Sequence, residues 1–291
     1  MYTTLIEPVE LVAQIANPDW TVIDCRFELT RPQWGAEVYA AGHIPGAIYA
    51  HLDRDLSGPV TPASGRHPLP DIGAFTEKLG AWGIDAGVQV VAYDQGNGAY
   101  AARLWWLLHW LGHEATAVLD GGFAAWQQAA LPQGAEPPPK RPRRFVPRPA
   151  ESLVVSTAEL SQWVSGGELT RGTRTLVDAR GADRFAGHNE TLDPVAGHVP
   201  GAESHPFAGN LDEHGRFLPA PELRARWLRT LGTQSPSQVI SMCGSGVTAC
   251  HNLLALQVAG LPGARLYAGS WSEWIRDSSR PVEPPRQSSS P

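Results

Sequence analysis

The sequence predicts an α/β protein built from two tandem copies of one domain, each a mainly parallel sheet flanked by helices on both faces. Three observations predict this. Short β-branched runs alternate with helical stretches along the chain. The strand candidates are continuous apolar runs rather than alternating ones, the pattern of strands covered on both faces. The second half of the chain also repeats the first. With 291 residues and 42% hydrophobic content, there is room for two domains with real cores.

Taken in order, the first copy offers strands at "TVIDC", "AIYAHL", "VQVVAYD" and "TAVLD". Its helices are "ELVAQIA", "IGAFTEKLGAWG" and "AYAARLWWLLHWLG". The second copy answers with strands "TLVDA", "SQVISM" and "ARLYAG" and helices "AELSQWV", "APELRARWLRTLG" and "ACHNLLALQVAG". The repeat is also visible residue by residue. "TVIDCRF" (21–27) and "AGHIPGA" (41–47) match "TLVDARG" (175–181) and "AGHVPGA" (196–202). "SGRHPLP" (64–70) matches "HGRFLP" (214–219), and "VLDGGFAAW" (118–126) matches "LYAGSWSEW" (266–274). The expected division is an N-terminal domain at 1–131, a Pro/Arg-rich linker at 132–150, a C-terminal domain at 151–277 and a flexible tail at 278–291. The linker carries Lys140, Arg141, Arg143, Arg144 and Arg148 and reads as a solvated strap on an acidic chain.

Composition excludes several classes. A net charge of -6, from 23 basic and 29 acidic residues, gives no reason to expect nucleic acid. No apolar run approaches a membrane span, and no signal peptide is evident at the N-terminus. Three scattered cysteines do not make a disulfide framework, so a reducing, cytoplasmic setting is expected.

The copies diverge where chemistry is expected. After "VVAY" the first copy continues Asp94-Gln95-Gly96-Asn97-Gly98; after "VISM" the second continues Cys243-Gly244-Ser245-Gly246-Val247-Thr248. Both stretches follow the C-terminal end of a strand and precede a helix, where ligands of open α/β sheets bind. Only the second offers a nucleophile. Gly244 and Gly246 permit tight turns that aim backbone N–H groups inward, and the helix opening near Val247 adds its positive end. Ser245 and Thr248 add hydroxyls. Such a loop suits a thiolate, a charged sulfur bound to it, or a small anion.

Other readings of the stretch are weaker. A Walker loop needs a different spacing, and a Cys-x-x-Cys pair is absent. Cys243, Cys250 and His251 lack a second ligand pair for zinc, so no metal is expected. A cysteine-dependent phosphatase needs a loop arginine that is missing, and a duplicated binding platform would not need Cys243. Cys25 and Cys250 read as small buried residues. The tryptophans of 105–110 read as core, while Trp271 could line a pocket.

With these motifs in view, the chain resembles two-domain sulfurtransferases of the rhodanese superfamily over roughly residues 5–276. The resemblance rests on "VIDCR" with "AGHIPGA", "LVDAR" with "AGHVPGA", "CGSGVTA", "LDGGFAAW" and "YAGSWSEW". It implies two rhodanese-like domains, an inactive N-terminal copy, and a Cys243 persulfide formed without metal or organic cofactor. Sulfur would pass from a small donor to a thiol or cyanide, or to a protein thiol; neither nucleic acid nor membrane takes part. The neutral "CGSGVT" resembles the 3-mercaptopyruvate enzymes, with thiosulfate as the alternative donor. The resemblance further implies that Ser245 works with a histidine, carried over to His43, and an acid for which Glu37 is the nearby candidate. Its duplicate His198 leaves open a fold role for His43. Arg184 in "ADRF" would hold the donor's carboxylate. The second arginine of the family is missing from "AGHNETLDPVAGH". Arg180 could contribute, although the equivalent Asp24–Arg26 pair in the first copy favours a scaffold role.

Overall fold

The computed structural model describes residues 1–136, 138–139 and 141–283. Contacts divide the chain into two compact units. The first holds Met1–Pro59, Leu69–Glu151 and Leu211–Leu218; the second holds Val60–Pro68, Ser152–Asn210 and the chain from Pro219 onward. Each unit thus includes a short segment that the sequence repeat assigns to the other copy. Residues 132–150 group with the first unit. There Arg143 pairs with Asp19 and Asp85, and Arg148 donates to the Gly112 carbonyl, so the described part of the strap is fastened down. Lys140 and residues 284–291 lie outside the described residues.

The first unit runs β1 (Leu5–Ile6), α1 (Pro8–Val12), β2 (Trp20–Asp24), α2 (Trp34–Ala41), β3 (Ile48–Tyr49) and α3 (Leu52–Asp55). It continues with α4 (Ile72–Ala81), β4 (Gln89–Tyr93), α5 (Ala101–Trp110), β5 (Thr116–Leu119) and α6 (Gly122–Gln128). The second unit contains α7 (Thr157–Ser165), β6 (Thr175–Asp178), α8 (Ala182–Phe185), β7 (Glu203–Ser204) and α9 (Ala220–Leu231). It closes with β8 (Val239–Met242), α10 (Thr248–Val258), β9 (Arg265–Leu266) and α11 (Ser270–Trp274).

Both sheets are parallel. Their orders are β1-β5-β4-β2-β3 and β7-β6-β8-β9. Apart from β1, the two orders superimpose element for element, so the sequence repeat is a repeat of topology. The central strands are buried throughout: β4 and β8 expose no residue. This is why they read as unbroken apolar runs. The expected strand "AIYAHL" is shorter than its apolar run. It pairs only at Ile48 and Tyr49, because the His51 ring accepts from Asp53 N–H (3.1 Å) and caps α3.

Each unit has its own core. Ile23, Val91 and Trp126 are buried in the first, and Leu176, Ile240 and Trp271 in the second. Among the described residues, no helix is long and apolar enough to cross a membrane.

Candidate active site

The site grows from the C-terminal end of β8. Cys243 is the first residue past the strand, is 2% exposed, and is followed within five residues by α10. The intervening loop is held from behind by α11. Trp271 N–H donates to the Cys243 carbonyl and Ser272 N–H to the Gly244 carbonyl, each at 2.9 Å. The Cys243 N–H is taken by Ser270 Oγ at 3.0 Å. Ser270 has φ +54, an uncommon conformation for a residue with a side chain; its hydroxyl also donates to the Tyr267 carbonyl.

With its carbonyls anchored outward, the loop turns its amides inward. Gly246 N–H points at Cys243 Sγ from 3.1 Å and Ser245 N–H from 3.5 Å. Gly246 has φ +77, and a Cβ there would collide with the Ala268 carbonyl oxygen, so only glycine closes the turn. The result is a sulfur in an amide cradle beside the N-terminus of an 11-residue helix, where Val247 stands at the cap and Thr248 begins the first turn.

The second unit's own segment 60–68 supplies a histidine to this loop. His67 Nδ1 lies 2.7 Å from Ser245 Oγ, and both residues are buried. The segment is fixed by Arg66 N–H donating to Ser272 Oγ (3.0 Å) and by Arg276 donating to the Ser64 carbonyl (3.2 Å).

His43 is therefore corrected: the histidine at Ser245 is His67. The His43 ring lies 2.8 Å from the Tyr39 carbonyl and 3.1 Å from the Glu136 carbonyl, and it stacks on Tyr39 at 4.0 Å. Its duplicate does the same. His198 lies 2.9 Å from the Phe185 carbonyl and stacks on Phe185 at 3.9 Å. The shared "AGH" histidine fastens the preceding helix in both units. Glu37 is exposed on α2 and has no part in those bonds.

Two arginines border Gly244, the residue after the thiol. Arg66 Nη2 sits 2.9 Å and Arg184 Nη2 3.6 Å from where a Gly244 side chain would begin. Arg184 grips Glu190 with both Nε and Nη2 (2.9–3.2 Å) and reaches Asp193 at 3.3 Å; Arg66 pairs with the other oxygen of Asp193. Burial opposes ionisation of Glu190, yet the Arg184 hydrogen bonds, the Leu192 and Asp193 amides and the Arg184 charge hold its carboxyl below the usual range. The segment 188–195 thus brings two carboxylates rather than a second cation. Arg180 is a scaffold. It binds Asp178 bidentately, the Gly197 carbonyl at 2.8 Å and Glu190 at 3.3 Å, over the Trp271 ring at 4.8 Å.

Cys250 and His251 lie in the buried face of α10. Cys250 Sγ donates to the Gly246 carbonyl at 3.3 Å, and His251 packs edge-on against Phe207. Cys25 is fully buried in the first unit, where burial pushes its thiol well above the ordinary range. At the loop after β4 the same backbone bend encloses Asp94, whose carboxylate accepts from the N–H groups of Gly96, Gly98, Tyr100 and Ala101 at 2.9–3.2 Å. The cradle of amides is kept, and the chain's own anion fills it.

Arg66 and His67 are the residues that sequence reasoning missed. A signal was present: where "SGRHPLP" has His67, its duplicate "HGRFLP" has Phe217. That contrast parallels Cys243 against Asp94.

The geometry defines a tandem α/β protein with a nucleophilic thiol in an amide cradle. The rhodanese-like domain model matches residues 7–129 and again 156–277. The "Probable 3-mercaptopyruvate sulfurtransferase" of Pseudomonas aeruginosa is 49% identical over 96% of this chain and 97% of its own length. The thiosulfate sulfurtransferase of Cricetulus griseus is 30% identical over 96% and 94%. Among solved structures, the 3-mercaptopyruvate sulfurtransferase of Leishmania major superimposes with a TM-score of 0.81 at 32% identity, over 94% of this chain and 74% of that one. The chain belongs to the rhodanese-like family, with two such domains in tandem.

Proposed function

We propose that this sulfurtransferase takes sulfur from 3-mercaptopyruvate through a Cys243 persulfide. The observation that carries the reading is the Ser245–His67 pair, 2.7 Å apart and next to the cradled thiol. The Cys243 thiolate attacks the donor's sulfur and an S–S bond forms. The carbon–sulfur bond breaks, and its electron pair leaves on carbon as the enolate of pyruvate. That enolate needs a proton. Ser245, backed by His67, is a route for supplying one. Sulfite, by contrast, leaves thiosulfate as a stable anion and needs none. The Gly246 and Ser245 amides stabilise charge on Cys243 Sγ and on the outer sulfur of the persulfide. A thiolate acceptor, or cyanide in an assay, then attacks the outer sulfur and releases the Cys243 thiolate.

In this reading the first unit is catalytically inactive, because Asp94 stands where a nucleophile is required, and the reaction uses no metal or organic cofactor. The free thiol at Cys243 suits a reducing, cytoplasmic setting. A protein thiol is the alternative acceptor. Thiosulfate is the second reading for the donor, supported by the cations Arg66 and Arg184 beside Gly244. The deciding experiment compares kcat/KM for 3-mercaptopyruvate and thiosulfate with one acceptor, in the wild type and Cys243→Ser. A higher value for 3-mercaptopyruvate, with both activities lost in the variant, is expected. A higher value for thiosulfate reverses the choice of donor.

A further inference from the structure

Asp193 carries one carboxylate between two guanidiniums. One oxygen pairs with Arg66 and the other lies 3.3 Å from Arg184 Nη2. The Asp193 side chain is 2% exposed, although its segment is neither helix nor strand. Both arginines border Gly244, the residue after the nucleophile. A pair of guanidiniums converging on a planar carboxylate is a specific carboxylate receptor. Here it stands one residue from the thiol, and the chain's own side chain fills it.

Glu190 is bound differently. Arg184 and Arg180 both hold it, and it also accepts the Leu192 and Asp193 N–H groups at 2.9 and 3.1 Å. It is the keystone of its turn. The carboxylate bonds of Asp193 run instead to Arg66 and Arg184, the two groups a donor would need.

Building on the mercaptopyruvate reading above, we propose that Arg66 and Arg184 form the fork that binds the donor's carboxylate. Asp193 is its internal stand-in and is displaced when the donor enters. Asp193 then sets specificity. A donor must bring an anionic group able to replace a carboxylate between two guanidiniums. Displacement also raises the apparent KM, because only the fraction of molecules with an open fork binds donor.

Two variants and pyruvate, the sulfur-free product bearing the same carboxylate, test this. Asp193→Asn keeps the shape and removes the charge. KM for 3-mercaptopyruvate and the inhibition constant of pyruvate should fall together, by about tenfold. Arg66→Gln should raise both by about tenfold or more. In the wild type, pyruvate should inhibit and its neutral methyl ester should not. The proposal is overturned by equal inhibition from the ester, by unchanged or raised constants in folded Asp193→Asn, or by unchanged constants in Arg66→Gln. If Asp193→Asn does not fold, Arg66→Gln and the ester comparison decide. Failure of the underlying reading is distinguishable: the wild type would then gain no sulfur on Cys243 from 3-mercaptopyruvate.

Discussion

His67 and Ser245 are bonded at 2.7 Å, although 178 positions separate them in the chain. The bond ties a loop without regular structure to the amide cradle of Cys243. If the pair delivers the proton to the leaving enolate, the two residues act as one unit. His67→Ala and Ser245→Ala should each lower kcat with 3-mercaptopyruvate by roughly 10²-fold. The double variant should be little worse than either single one. Stopped turnover assays of the three variants check this. Full additivity would assign the residues separate roles. His43→Ala should lower thermal stability instead, because its ring fastens α2.

Gly246 closes the cradle at φ +77 with no space for a Cβ. Gly246→Ala must move either the loop or the Ala268 carbonyl. A stability loss of roughly 1–3 kcal/mol is expected, together with slower persulfide formation, because the 3.1 Å amide contact to Sγ is lost. Denaturant melts and single-turnover mass spectrometry measure the two effects.

Arg180 and Asp178 are a buried pair at 2.7 Å. Burial works against the guanidinium, but the charge and hydrogen bonds of Asp178, the Glu190 charge and the Cys243 charge outweigh it and keep Arg180 firmly protonated. Arg180→Met would strand a buried carboxylate. A loss of roughly 3–5 kcal/mol is expected, read as a lower melting midpoint rather than as a change confined to KM.

Asp120 gives a pH prediction for the first unit. Burial pushes its carboxyl up to about 6 from 3.8, against the Phe217 N–H bond that pulls it down. The folded state therefore binds this proton more tightly than the unfolded chain does. Its stabilising contribution is complete below pH 3.8 and is lost as pH rises through about 6. Asp120→Asn keeps an acceptor for Phe217 N–H. It should match the wild type near pH 4 and melt higher at pH 7. Equal melting temperatures at pH 7 would contradict the assignment.

The fold class was legible because burial on both faces writes itself as unbroken apolar strands, and because the duplication could be read at five ordered places. Cys243 was legible for a related reason: its duplicate Asp94 keeps the glycines and loses the thiol. His43 misled because it sits in a motif that both copies share, and in both copies that histidine fastens the preceding helix. His67 stands in a segment of no periodicity. Its packing on the Ser245 loop is a tertiary fact that no local pattern encodes. Segment 188–195 lacks a second cation, and its two carboxylates engage the cations that are there. Arg66 lies in sequence far from Arg184, and only the fold brings both to Gly244.

In the proposed reaction every transferred sulfur atom passes through Cys243. The most direct measurement is peptide mass spectrometry of the wild type after one turnover with 3-mercaptopyruvate and no acceptor. One added sulfur atom on the Cys243 peptide, discharged by adding a thiol, is the predicted result. Release of pyruvate with an unmodified Cys243, or with the sulfur on Cys25 or Cys250, would contradict it.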